Sequence, residues 1–240
     1  MSLKIIHISD THGKHDLINW NFDPADADMI IHSGDFSNVG EEKDLLKFFE
    51  WFSNFPCKHK ICIAGNHDKS LDEKFWNNKA LLNDGHRDRI KNCEIWAPAI
   101  IKKFNEVENQ YYLNHEAVTI EGIKLFGSPW SAAFHADFWA FNALRNGVVA
   151  QKLYDEIPLD TGILITHGPS FGNLDKTLTN FNCGDEILLE KVNKIKPKFH
   201  LTGHIHEDYG IKKVGDTTFI NSSIMTINYE PTNLPQVFEI

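Results

Sequence analysis

Short β-branched and aliphatic runs recur along this chain, and five of them end abruptly in a polar cluster. The clusters are Asp10-Thr11-His12, Gly34-Asp35, Gly65-Asn66-His67-Asp68, Thr166-His167-Gly168 and Gly203-His204-Ile205-His206. Runs of this length and composition predict buried strands, and each cluster falls where a strand gives way to a loop. In open α/β sheets that carboxyl end of the strands is where active sites collect. One histidine after a strand commonly does no more than hydrogen-bond. Five clusters carrying Asp, His and Asn together read as a ligand set. From average residue usage, Gly-Asn-His-Asp alone should arise by accident in on the order of one chain in a thousand of this size.

The chain has 240 residues, 42% of them hydrophobic, enough for a real core and compatible with one large α/β domain. No repeat, low-complexity tract or linker divides it, so one domain spanning 1–240 is expected. No window approaches the ~20 apolar residues of a membrane helix, so no membrane partner is expected. Leu3 to Ile8 runs straight into the first cluster, so no leader peptide is expected. Cys57, Cys62, Cys93 and Cys183 form no C-x-x-C pair and read as reduced thiols of a cytoplasmic protein. A net charge of -9, with no basic stripe interleaved with aromatics, argues against a surface that tracks long nucleic acid. Histidine is frequent, 13 in all; His7, His32, His59, His115 and His200 read as ordinary strand or surface residues.

Strands are predicted at 3–9, 28–33, 59–64, 117–121, 123–127, 162–167, 198–203, 217–222 and 235–240. Glu121-Gly122 predicts a tight hairpin turn. Helices are predicted from Glu41 to Ser53, with Leu45, Leu46, Phe48, Phe49 and Phe52 on one side, from Phe141 to Ile157, and from Asp185 to Ile195 before Pro197. The stretch 69–92 reads as a polar surface excursion. The aromatic segment 128–145 (Trp130, Phe134, Phe138, Trp139, Phe141) reads as loop and helix packing, or as a substrate-facing wall. The whole is an α/β chain of mixed sheets with helices outside.

The residue types suit divalent ions at a hydrolytic site, where a bridging carboxylate holds two ions roughly 3.5–4 Å apart. Asp10 and His12 alternate around Thr11 and can turn to one side. Gly34 frees the backbone to present Asp35 as a bridge, and Gly65 does the same for the amide oxygen of Asn66. His204 and His206 also alternate and can serve one ion each. Two carboxylates against two divalent ions leave a net positive charge, suited to a phosphate ester. Mixed Asp, His and Asn ligation favours manganese, iron or zinc over calcium.

Taken in order, Asp-x-His, Gly-Asp, Gly-Asn-His-Asp, a lone His after a strand and Gly-His-x-His resemble the calcineurin-like metallophosphoesterase superfamily, from residue 5 to about 223. Gly34 to Asn38, Gly127 to Trp130, Phe141 to Arg145, Thr166 to Pro169, Gly203 to Glu207 and Phe219 to Ser223 are similar to its small metallophosphoesterase-domain branch. The resemblance implies a four-layer sandwich of two mixed β-sheets flanked by helices. It implies one ion on Asp10, His12 and His206, another on Asn66, His167 and His204, and Asp35 between them. It also implies in-line attack by a metal-bridging hydroxide on a small phosphodiester such as a cyclic nucleotide. By the resemblance, His67 would be a catalytic histidine that contacts phosphate and protonates the leaving group. Asp68, next to it, is expected either to orient that ring or to make an ordinary structural hydrogen bond. Asn38 stands where the family usually has Asp or His; its amide cannot transfer a proton and is expected only to touch substrate. Arg145 is expected to reach a phosphate or sugar. Two rival readings are a non-catalytic scaffold on the same fold, and a serine esterase built on Gly168-Pro169-Ser170-Phe171-Gly172.

Overall fold

Alternation within the strands produces the layers. In the computed structural model, which describes residues 2–77, 88–134 and 139–240, the first half contains β1 (Lys4–Ile8), β2 (Met29–Ser33), α1 (Glu42–Ser53), β3 (His59–Ile63), α2 (Glu73–Asn77), α3 (Cys93–Asn105) and β4 (Gln110–Tyr112). There follow β5 (Glu116–Ile120), β6 (Ile123–Ser128), β7 (Ser131–Ala132), β8 (Asn142–Ala143), α4 (Val148–Asp155), β9 (Ile163–Thr166), α5 (Glu186–Ile195), β10 (Phe199–Thr202), β11 (Gly210–Val214), β12 (Thr217–Asn221) and β13 (Gln236–Glu239). One sheet runs β13-β1-β2-β3-β4, parallel except for β13. The other runs β11-β12-β10-β9-β6-β5, with a parallel centre and antiparallel strands at both edges. Ile5, Met29, Ile31, Ile61 and Ile63 of the first sheet meet Leu125, Ile163, Ile165, Leu201 and Ile220 of the second in one core. Their neighbours Ile6, Ile30, Cys62, Leu164 and Phe219 point the other way, into a core shared with the helices. Helix, sheet, sheet, helix is the four-layer sandwich.

Every predicted strand is present, and Glu121 and Gly122 take φ of 48° and 81° as a hairpin turn requires. Leu45, Phe48, Phe49 and Phe52 bury one face of α1, but Leu46 is exposed. The helix expected over Phe141 to Ile157 begins only at Val148. Before it, β8 pairs with β7 in a two-stranded ribbon, and Phe141 and Asn146 have positive φ. Helix α3 lies in a segment for which no helix was expected; Pro98 sits exposed inside it while Cys93, Ala97, Ile100 and Phe104 bury the opposite face. The stretch 69–92 is not a surface excursion in its described parts: Lys69, Ser70, Asp72, Phe75 and Ile90 are buried. All four cysteines are free thiols, as expected. Among the described residues no helix is long and apolar enough to cross a membrane.

Candidate metal centre

The polar clusters gather at the carboxyl ends of the parallel strands of both sheets, and the backbone there is unusual. Asp10, His12, Asp35 and His204 all have left-handed φ, at 51°, 43°, 57° and 68°. Asp and His tolerate this region better than other side chains, yet each instance must be held by its surroundings. The holding is reciprocal. Asp10, His12 and Gly13 donate their N–H groups to the carbonyls of Gly34, Asp35 and Phe36 at 2.9, 3.0 and 2.9 Å, zipping the loop after β1 to the loop after β2. Both carboxylate oxygens of Asp10 receive the His204 N–H, at 3.0 and 3.1 Å. The i, i+2 alternation expected of Asp10 and His12 is therefore a left-handed turn beyond the strand rather than its continuation. Gly34 turns the chain at φ 97°, as expected. Gly65 acts by close approach instead, because a Cβ there would run into Asp35.

These turns bring the candidate ligands together. Asp10 lies with His12 and His206, His12 with Asp35 and His67, and Asp35 with His167 and His204, the donor atoms of each group falling within 4.8 Å of one another. Asn66 joins the last group, its Oδ1 2.9 Å from His167 Nε2. His167 Nδ1 donates to the Ser33 carbonyl at 2.8 Å and His206 Nδ1 to the Thr226 carbonyl at 3.1 Å. Those bonds fix the tautomer and leave each Nε2 facing the centre, as in histidine ligation generally. The freed nitrogens meet carboxylates: His167 Nε2 lies 3.2 Å from Asp35 Oδ2, and His206 Nε2 lies 3.4 Å from Asp10 Oδ1. Burial opposes ionisation of both acids, but His206 beside Asp10, and His167 with His67 beside Asp35, hold both carboxyls below their ordinary value. His12 and His204 are pushed down to about 3, chiefly by burial, and so are neutral. His12 is buried with neither ring nitrogen bonded to any described residue. A buried lone pair without a partner needs explanation. Convergent imidazole nitrogens, an amide oxygen and two ionised carboxylates fit divalent cations.

Beside the ligands opens a cavity of about 710 Å³, floored by Asp35, Asn66, His204 and His206. The aromatic stretch divides between core and cavity wall. Trp130 and Phe141 are buried, whereas Phe134 and Trp139 line the cavity, and Phe138 lies outside the described residues. Trp139 sits 4.3 Å from the His67 ring and Phe134 5.2 Å from the His204 ring, centroid to centroid. His67 also lines the cavity; its Nδ1 donates to the Asn38 carbonyl at 2.7 Å, leaving Nε2 free to face inward.

Three expected roles are narrowed or revised. Of the two roles open to Asp68, the structural one is found, and the residue does not orient the His67 ring. It is buried, with Oδ1 accepting from Ser37 N–H and Oγ at 2.9 and 2.6 Å and Oδ2 accepting from Asp35 and Gly65 N–H, both at 2.9 Å. Asn38 is not among the described residues that line the cavity, and its amide donates to the His12 carbonyl at 3.2 Å. Arg145 borders the cavity, but its guanidinium is forked onto Glu186 and donates to the Asn182 carbonyl.

Residues 3–208 match the calcineurin-like phosphoesterase family over most of the chain. Human metallophosphoesterase domain-containing protein 1 is 35% identical, the match covering 99% of this chain and 71% of that protein. UPF0046 protein K07C11.7 of Caenorhabditis elegans is 34% identical over 99% of this chain and 75% of its own length. This chain belongs to the calcineurin-like phosphoesterase family. The fold is shared with TT1561 of Thermus thermophilus, at TM-score 0.58 and 13% identity, covering 93% of this chain and 90% of that one.

Beneath the candidate site lie three histidines outside the polar clusters, His32, His7 and His200. His32 Nε2 pairs with Thr11 Oγ1 at 3.0 Å and its Nδ1 accepts the Gly34 N–H at 3.2 Å, joining the two loops that carry Asp10, His12 and Asp35. His7 bonds Ser33 and Ser222 hydroxyls at 2.6 and 2.7 Å, and His200 bonds Thr166 at 2.8 Å. All three are fully buried in strands next to motif residues, a position that could have marked them. Ser170 forms no nucleophile elbow: it is buried, and no α-helix begins until Glu186.

Proposed function

We propose that this phosphoesterase-family protein hydrolyses small phosphodiesters, cyclic nucleotides among them, at a pair of divalent ions. One ion would lie on Asp10, His12 and His206, the other on Asn66, His167 and His204, with Asp35 shared. The observation that carries this reading is the overlap of the ligand groups, in which Asp35 stands with His12 on one side and with His167 and His204 on the other. Bound divalent ions, manganese, iron or zinc by ligand type, would supply Lewis-acid charge to a phosphoryl group and lower the pKa of water. The protein's own residues do the rest. Asp35 and Asp10 fix the negative charge that holds the ions. His67, anchored through Nδ1 to Asn38, presents Nε2 to the cavity; in its doubly protonated form the ring gives the Nε2 proton to the departing oxygen and is left neutral. Trp139 and Phe134 offer a planar apolar face beside it. A cavity of about 710 Å³ on a chain of charge -9 suits a small ester better than a long polymer. Four free thiols suit a reducing, cytoplasmic setting.

The test is to strip the protein with chelator, reload it with manganese, iron or zinc, and assay cyclic nucleotides, nucleotides, chromogenic mono- and diesters and single-stranded DNA. Two ions per chain and turnover of small diesters above DNA are expected. A single ion per chain, or no turnover with any metal, overturns the reading.

A further inference from the structure

Part of the cavity wall is a short arm with no counterpart among the sequence motifs. Lys176 pairs with Asn182 as an isolated antiparallel bridge, Thr177 N–H donates to the Phe181 carbonyl at 3.0 Å, and Asn180 turns the tip with φ 60°. Thr177, Phe181 and Cys183 line the cavity, yet Phe181 is 61% exposed. Most of an apolar ring bordering a polar cavity thus faces water until something covers it.

The arm is held firmly for a loop. Asp175, buried, accepts from Gly172 and Gly184 N–H at 2.9 and 3.0 Å and from Asn182 Nδ2 at 3.1 Å. Arg145 forks onto Glu186, donates Nη1 to the Asn182 carbonyl at 2.9 Å, and stacks its guanidinium 5.1 and 5.9 Å from the Phe171 and Phe181 rings. The Lys176 N–H donates to Asp208 at 2.8 Å, fastening the arm to the turn that carries His206. Such a fork differs from a point charge: it fixes a plane, and that plane supports Phe181.

We infer that the 176–182 arm forms a subsite for a planar, apolar group on the substrate, with Phe181 determining specificity and Arg145 positioning it. This rests on the phosphoesterase reading, because the phosphorus must sit over Asp35 and the histidines on the cavity floor for the ring to reach the rim. Arg145 would then govern what is attached to the phosphate without touching the phosphate.

The test uses full-length, metal-loaded protein and two inhibitors, a naphthylmethyl phosphonate and an ethyl phosphonate, with binding measured by competition and by calorimetry. Loss of one aromatic contact should reduce the preference for the naphthyl compound about tenfold in Phe181→Ala. Arg145→Gln should shift the preference the same way and speed amide exchange across 176–182, and Arg145→Lys should restore only part of it. Equal loss of both ligands, or an unchanged preference in Phe181→Ala with a normal unfolding midpoint, overturns the inference. So does a change in self-association in place of a change in preference, which would make the arm a contact for a second copy. Selective naphthyl binding without turnover of any ester would sink the catalytic reading and leave the subsite standing. Turnover with an unchanged preference would do the reverse.

Discussion

At the scale of single residues, the site depends on positions with no room for variation and on one imidazole with freedom to act. A Cβ at Gly203 would meet the Ser9 hydroxyl and the Asp10 carboxylate. Gly203→Ala must therefore displace either the His204 turn or Asp10. The expected cost is about 1–3 kcal/mol of stability, typical of overpacking, together with weakened metal binding. Urea unfolding and metal titration check both, and full metal affinity with unchanged stability would count against the tight approach. His67 differs because its ring borders open space. General-acid assistance is worth about 10²–10⁴-fold and grows as the leaving group becomes more basic. His67→Gln should keep both metals, lose little rate on a nitrophenyl ester and lose far more on an alkyl or ribose leaving group. Equal losses would reduce His67 to a phosphate contact. Loss of metal would make it a ligand, which its place beside His12 and Asp35 makes a sharp test.

At the scale of elements, Asp68 is the strap between the loops after β2 and β3, taking two donors from each oxygen. Asp68→Asn keeps the shape but turns an amide N–H₂ toward backbone N–H groups. Leaving those donors unsatisfied should cost on the order of 2–4 kcal/mol, and should loosen the Asp35 loop enough to weaken metal binding. Chemical denaturation with and without metal reads both effects, and a neutral substitution would show that the strap is dispensable. Strands were legible because burial of β-branched runs leaves a period that sequence carries directly. The ribbon at β7 and β8 was not, because Phe141 and Asn146 adopt left-handed backbone that no periodicity announces. Helix α3 carries a buried 93, 97, 100, 104 spacing, but Pro98 obscures it; the proline is tolerated where its ring faces water. The same division holds in the site. The candidate ligands were visible as motifs because chemistry restricts residue type. The partners of Asp68 and Arg145 were not, because a carboxylate or guanidinium can pair with groups distant in sequence, as Asp68 does with Asp35 and Arg145 with Glu186.

At the scale of the whole molecule, buried histidines tie stability to pH. Burial pushes His7, His32 and His200 down to about 3 in the folded protein, against 6.5 when exposed. Between those values the unfolded chain binds protons that the folded one excludes, so stability rises with pH and is lost as pH falls below 6.5. Each group contributes up to about 1.4 kcal/mol per pH unit. Metal-free protein should unfold at lower urea at pH 5 than at pH 7, and a flat profile would mean that these rings already carry protons when folded. The path of the chain has a further consequence, for synthesis. Ser9, just before Asp10, is pinned by Ser222, Ser223 and Ile224, and β1 is covered by β13. Every candidate ligand emerges from the ribosome before residue 207, yet the segment that seats the first of them emerges afterwards. A chain made only as far as residue 215 would carry every candidate ligand without the support that places Asp10. The candidate site can therefore take its shape only once residues 222–224 have been made and have closed on Ser9.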